Sequence, residues 1–171
     1  MSKIGTGPVL SAASVTDMYA GRLTAWPSGT PVRLVLRPLQ DSDTQAIGEM
    51  SGEIKAALPT IIAKPGMIVA PTDQDAADTM ENIPGALGTL TLALIVTEKR
   101  KVHMVPINGV VPSVNALGSG TYPYEKTMYL VRKGTFQPVV ARFMQFLATP
   151  RGRQLITDAG HLAPAAARGS K

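Results

Sequence analysis

The stretch PVRLVLRPLQDSDTQ, residues 31–45, constrains the fold of this chain more than any other part of it. A short apolar run leads into Arg37 and is broken at Pro38, as at the end of a buried strand. Residues 41–44, DSDT, follow with the short hydroxyl and carboxylate side chains that cap helix starts. The pattern therefore predicts a strand, a loop and a helix from about 42 to 51, which is one unit of an α/β fold.

The chemistry of this unit allows two interpretations. Backbone N–H groups at a helix start lack partners within the helix and attract anions, and a guanidinium can grip an oxyanion with two hydrogen bonds. On this interpretation Arg37, Ser42, Asp43 and Thr44 form an oxyanion site. On the other, residues 41–44 only cap the helix and Arg37 is a solvated strand end.

Strands and helices are predicted to alternate along the rest of the chain, which favours an α/β fold with a mixed, largely parallel sheet flanked by helices. The predicted helices start at Ser14, Ser42, Thr72, Gln137 and Thr149, with a break or new start at Pro59 and a short helical turn at Pro112. The predicted strands are 32–37, 67–70, 89–96, 102–107 and 127–132, with a hairpin-type turn at Asn108-Gly109.

Residues 72–75, TDQD, form a capping box in which acids also suit the positive end of the helix. Metal binding by Asp73, Asp75 and Asp78 is the alternative interpretation, and the structural role is preferred. The chain contains no cysteine, which excludes disulfides, thiolate nucleophiles and cysteine metal sites. We therefore predict no metal site and no cofactor.

The formal net charge of +5 is a modest bias that can attract anions by long-range steering. The one dense basic run, KRK at 99–101, has no interleaved aromatic residues. A nucleic-acid surface needs a cluster of basic and stacking residues, so this run is interpreted as a solvated turn. The sequence thus predicts no nucleic-acid partner.

Enzyme signatures are missing from the sequence. His103 and His161 fall in different predicted elements, and neither has a serine or acid at a catalytic spacing. The chain has no phosphate-binding GxxxxGK[ST] loop, no GxSxG elbow and no HExxH pair. We predict a protein that is not an enzyme.

The 171 residues suit one compact domain or two small lobes, with 44% hydrophobic residues to form a core. Residues 1–13 are predicted to be a linker or strand end, 14–162 the α/β domain, and 163–171 a frayed tail. The first residues lack the apolar run of a secretion signal.

Five segments in this order resemble the phosphate-binding, periplasmic solute receptors of ABC uptake transporters. They are VTDMYAGRLTAWPSGTPVRLVLRP at 15–38, DSDT at 41–44, IPGALGTLTLALI at 83–95, YPYEKTMYLV at 122–131 and FMQFLATPRGRQLITDAGHL at 143–162. The resemblance implies the type of fold that has two α/β lobes and a ligand cleft, here the second lobe and the C-terminal return segment.

By position, the resemblance makes Arg37 the clamp arginine, Ser42 a hydroxyl donor, and Thr44 a hydroxyl and backbone donor. Asp43 stands where the family usually has glycine. A carboxylate there repels an anion unless it points away or caps the helix. Alternatively, Asp43 accepts the proton of a monohydrogen oxyanion.

The resemblance further implies a periplasmic protein that binds phosphate or a related oxyanion and works with the membrane components of an ABC transporter. Because most of the first lobe has no counterpart, weak or no phosphate binding is expected of this chain alone. The alternative is an interaction or scaffold protein that has kept the lobe and forms a homodimer through the surface left uncovered.

Overall fold

The computed structural model describes residues 8–131, 134 and 137–163. Within these residues, short helices alternate with three short strands in the first two thirds of the chain, and helices alone follow. In chain order they are α1 (Ala12–Tyr19), β1 (Arg33–Leu36), α2 (Ser42–Gly48), α3 (Gly52–Ala63), β2 (Ile68–Val69), α4 (Asp73–Asn82), β3 (Ala86–Gly88), α5 (Leu92–Thr97), α6 (Val114–Gly118), α7 (Pro138–Ala148) and α8 (Pro150–Asp158).

The three strands form one parallel sheet in the order β2-β1-β3. Val35 of the central strand is in register with Ile68 on one side and with Gly88 on the other. A parallel sheet needs crossover connections, and α2 with α3 makes one of them while α4 makes the next. This arrangement confirms the predicted α/β class and its parallel sheet.

The central strand buries a side chain on each face of the sheet. Leu36 belongs to the larger core, to which α1, α2 and α3 also contribute. Val35 belongs to a smaller core with Ala70, which follows β2, and Ala76 of α4. Helices on both faces are what a buried parallel strand requires. The larger core contains Leu10, Val15, Met18, Tyr19, Leu36, Ile47, Ile54 and Leu58.

Several local predictions are confirmed. Thr72 and Asp75 form the capping box of α4, the side chain of Thr149 caps α8, and Pro150 is its first residue. Gly160, with φ of +85°, follows the end of α8. Asn108 and Gly109 both have positive φ in the predicted turn. Caps and turns depend on residues a few positions apart, so a local sequence pattern predicts them correctly.

The predicted strand at 89–96 is wrong. The third strand lies earlier, at Ala86–Gly88, and the apolar run that follows is helix α5. The cause is the side chain of Thr91, which accepts a hydrogen bond from the backbone N–H of Leu94 at 3.2 Å and starts the helix.

Two other predicted strands do not form. Residues 102–107 contain only an isolated bridge residue, Ile107, which pairs with Leu10 and with Val110. Of residues 127–132, the described ones, 127–131, have no strand partner in the described chain, and residue 132 lies outside the described residues. Alternation alone does not make a strand when no neighbour supplies the hydrogen bonds.

Three helix boundaries also differ from prediction. Ser11, and not Ser14, caps the first helix, because its hydroxyl accepts from the N–H of Ser14. The helix predicted from 42 to 51 ends at Gly48, and Ser51 caps a separate helix, α3. Pro59 lies inside α3 and does not break it.

The predicted domain bounds remain a prediction. Residues 1–7 of the predicted linker and 164–171 of the predicted tail lie outside the described residues. Leu10 is buried, and its N–H donates to the carbonyl of Pro106 at 3.0 Å. Among the described residues, no helix has the length and apolar character needed to cross a membrane.

Candidate functional site

The candidate site lies at the carboxyl ends of β1 and β2, next to the starts of α2 and α4. Arg37 directly follows β1 and Ala70 directly follows β2. In open parallel α/β sheets, ligands bind outside the carboxyl ends of the strands, where loops supply the functional side chains. The residues predicted from the sequence are therefore in the place where such a fold forms a site.

Arg37 is buried, with 5% of its surface exposed, so it is not a solvated strand end. Its Nη1 donates to the carbonyl of Ala70 at 2.9 Å. Its Nη2 donates to Asp41 Oδ2 at 2.7 Å and to Asp73 Oδ1 at 2.8 Å. The guanidinium thus joins the ends of both strands to two carboxylates at the starts of α2 and α4.

The start of α2 is capped by Asp41, whose Oδ1 accepts from the N–H of Asp43 at 2.8 Å. Ser42 is the exposed first residue of the helix. Thr44 is buried, and its hydroxyl donates to the carbonyl of Arg37 at 3.0 Å. The four predicted residues are therefore close neighbours, but the hydroxyl of Thr44 and the cap at Asp41 serve the local fold.

Asp43 is 4% exposed, and its Oδ1 lies 2.5 Å from the Nζ of Lys126, a residue 83 positions later. Burial raises the pKa of Asp43 because it disfavours the charged form. The ammonium group of Lys126 opposes this rise in pKa, and the nearby carboxylates of Asp73 and Asp41 add to it. The net pKa of Asp43 lies above its ordinary value.

Two buried side-chain atoms of the described residues have no hydrogen-bond partner, and both belong to this site. One is Arg37 Nε, a donor, and the other is Asp43 Oδ2, an acceptor. Buried polar atoms in native structures are nearly always paired, so an unpaired one is a candidate contact for a water, an ion or a ligand. Here the unpaired donor and the unpaired acceptor lie on two of the four predicted residues.

The charges of the site do not favour a simple anion. Two cations, Arg37 and Lys126, face three carboxylates, Asp41, Asp43 and Asp73, in ion pairs of 2.5–2.8 Å. With all groups ionised, the formal charge of this cluster is −1. A ligand here must therefore displace a carboxylate or donate a proton to one.

The acids considered as metal ligands, and the central arginine of the basic run, have other partners in the structure. Asp75 bonds to Thr72 and Asp78 pairs with Arg100, while Asp73 pairs with Arg37. In the described part of the chain, no three histidine or acidic side chains are grouped to hold a metal ion. Arg100, the centre of the basic run, also pairs with Glu98 at 2.7 Å.

Sequence reasoning missed three members of this cluster. The sequence predicts a capping role for Asp41 but not its ion pair with Arg37, four residues earlier. For Asp73 the sequence predicts a role at the start of α4, with metal binding as the alternative, and does not predict its pairing with Arg37. Nothing local in the sequence links Lys126 to Asp43, because the contact depends on how a distant segment folds back.

The fold is α/β with this cluster at the carboxyl ends of its strands, and comparison with known families identifies the class of protein. The family model described as "PBP superfamily domain" matches residues 3–151, which is 149 of the 171 residues. The chain therefore belongs to the PBP, or periplasmic binding protein, superfamily. Comparison with curated proteins gives no match.

Two solved structures are similar to the chain in fold. One is a putative phosphate ABC transporter substrate-binding protein with bound phosphate from Clostridium perfringens, with a TM-score of 0.65 and 14% identity. The other is PstS from Borrelia burgdorferi, with a TM-score of 0.61 and 13% identity. The matches cover 90% and 95% of this chain, but only 63% and 66% of those proteins. The chain therefore spans less than two thirds of the length of these two structures.

Proposed function

We propose that this chain is the solute-binding part of an ABC uptake system and that its ligand is phosphate or a similar protonated oxyanion. Membership of the PBP superfamily supports the solute-binding role, and the Clostridium perfringens structure provides a similar fold with phosphate bound. Transporter membrane components as partners, and a periplasmic location, are part of the same proposal.

The observation that carries the choice of ligand is the pair of unpartnered buried atoms, Arg37 Nε and Asp43 Oδ2. An oxyanion that carries a proton offers an acceptor oxygen for the guanidinium and an O–H donor for the carboxylate. A fully deprotonated oxyanion such as sulfate offers no donor, so it would leave Asp43 Oδ2 unpaired and face its charge. The site therefore supports phosphate over sulfate.

Asp73 allows a second test of the proposal, because its side chain is 39% exposed and accepts a hydrogen bond from Arg37 Nη2. An oxyanion that binds Arg37 competes with this carboxylate. Asp73→Asn removes one negative charge and weakens the competing pair, so we expect it to increase phosphate affinity several-fold. Arg37→Ala removes the clamp and should abolish binding.

The test is a titration of the full chain with phosphate and then sulfate at constant ionic strength, followed by the amide NMR signals, a method that also detects weak binding. We expect phosphate to shift the amides of residues 37–45 and sulfate to shift them much less. Arg33→Ala, an exposed arginine at the other end of β1, is the matched control and should bind like the unmodified protein. Equal responses to the two anions, or shifts confined to other regions, would refute the proposal.

A further inference from the structure

Residues 121–131 connect α6 to the last two helices without forming a helix or a strand. In residues 121–127 the side chains alternate in exposure: Tyr122, Tyr124 and Lys126 are half-buried, and the residues beside them are exposed. Residues 128–131 are all exposed. A period of two is that of an extended chain with one face against the protein. Lys126 thus belongs to the inward face of this segment, together with the edge-to-face pair of Tyr122 and Tyr124.

Within the described stretch 123–131, Lys126 makes the only ion pair, and its partner is Asp43. The lysine side chain is 28% exposed and the aspartate 5%, so the pair lies partly out of solvent. A buried carboxylate without its cation is strongly disfavoured. The contact therefore holds this segment at the candidate site, and the ammonium group of Lys126 opposes the rise that burial causes in the pKa of Asp43.

Lys126 supplies half of the positive charge of the site. Without it, the formal charge of the cluster changes from −1 to −2, and Asp43 loses the hydrogen bond on Oδ1. An oxyanion that approaches Arg37 Nε and Asp43 Oδ2 would then meet two uncompensated negative charges. The position of Lys126 and the occupation of the site by an anion are consequently linked.

We propose that Lys126 is a positioning residue and the second cation of the oxyanion site, so that oxyanion binding and the docking of residues 121–127 stabilise each other. This inference rests on the function proposed above. By linkage, a ligand that binds better when the segment is docked must also favour the docked segment, and by the same factor.

The test compares Lys126→Gln, Lys126→Arg and the unmodified full chain in the phosphate titration and in the amide NMR shifts of residues 121–127. Lys55→Gln is the matched control: it removes the same charge from an exposed position on α3, next to the far end of α2 at Gly48. We expect Lys126→Gln to weaken phosphate binding about tenfold, the usual effect of losing one charge-assisted hydrogen bond.

The same variant should move the amide signals of 121–127 toward those of an unstructured chain, and phosphate should move them the opposite way in the unmodified protein. Lys126→Arg keeps the charge and should restore both properties, which a merely structural loss of stability would not predict. If Lys126→Gln binds phosphate as tightly as Lys55→Gln, this inference is wrong while the proposed function stands. If the unmodified chain binds no phosphate, both are wrong.

Discussion

Asp43 is the residue at which the family resemblance and the geometry differ most. The resemblance places glycine there, yet the chain has a buried carboxylate that a lysine holds through one oxygen and that leaves the other oxygen unpaired. Burial makes the ionised form of this carboxylate costly in free energy, and the pKa of Asp43 is therefore raised. Because the pKa differs between the folded and the unfolded chain, the free energy of unfolding depends on pH.

The sign of the pH effect follows from proton linkage. The folded chain holds the proton of Asp43 more tightly than the unfolded chain, in which the pKa is about 3.9. As pH rises from this value through the raised folded pKa, the unfolded chain loses its proton first. The free energy of unfolding therefore falls in this window because of Asp43.

Asp43→Asn has no proton to lose, so its free energy of unfolding should gain relative to that of the unmodified protein as pH rises through this window. The gain is about 1.4 kcal/mol for each unit by which the folded pKa exceeds the unfolded one. Urea unfolding of both proteins between acid and neutral pH measures the difference. A difference that stays constant with pH would contradict the raised pKa.

At the scale of elements, the sheet depends on a close approach between β3 and the chain before β1. Gly85 has φ of +77°, and its carbonyl accepts from the N–H of Arg33 at 3.0 Å and from Trp26 Nε1 at 2.9 Å. A Cβ at this position would lie 2.1 Å from the carbonyl oxygen of Pro31. Only glycine therefore fits here without moving the backbone.

Gly85→Ala should lower the free energy of unfolding by about 2–4 kcal/mol, since it adds backbone strain and a steric clash. Gly66→Ala is the control, because Gly66 has φ of +83° but no atom within 4 Å of the added Cβ. It should cost only the left-handed strain, about 1–2 kcal/mol. Chemical unfolding of both variants checks the order, and equal losses would show that the clash at Gly85 is relieved.

The elements also show which parts of the fold a sequence can predict. Arg37, Ser42, Asp43 and Thr44 are close in sequence, so their proximity was predictable, as was the cap at Thr72. The prediction of a strand at 89–96 was wrong because the hydrophobic periodicity of a short apolar run does not distinguish a strand from a helix. The pairing of Lys126 with Asp43 is tertiary, and no local pattern encodes it.

At the scale of the whole molecule, burial is concentrated in the first two thirds of the chain. Among the described residues after Ile107, Gly152 alone is buried. Helix α7 has no buried residue and exposes four large apolar side chains, Val139, Phe143, Met144 and Phe146. Exposed apolar surface of this kind is typical of a face that packs against another part of the chain or another molecule.

This distribution predicts a gradient in local stability. Helices with few buried contacts open at low free energy, whereas core strands and helices exchange only on global unfolding. In dilute solution, the amides of α7 should therefore exchange much faster than those of β1 and α3, as followed by hydrogen exchange with mass spectrometry. Phosphate should not change this order, because α7 contributes no residue to the candidate site.

The concentration dependence of the same measurement separates two explanations of the exposed face. If α7 belongs to a monomer, its exchange stays fast at every concentration. If a second copy covers Phe143 and Phe146, exchange slows as concentration rises, and sedimentation velocity shows a dimer under the same conditions. Phe143→Ser should then abolish both effects and leave the exchange of β1 unchanged. Slow exchange in α7 at all concentrations, together with a monomer by sedimentation, would contradict the predicted gradient.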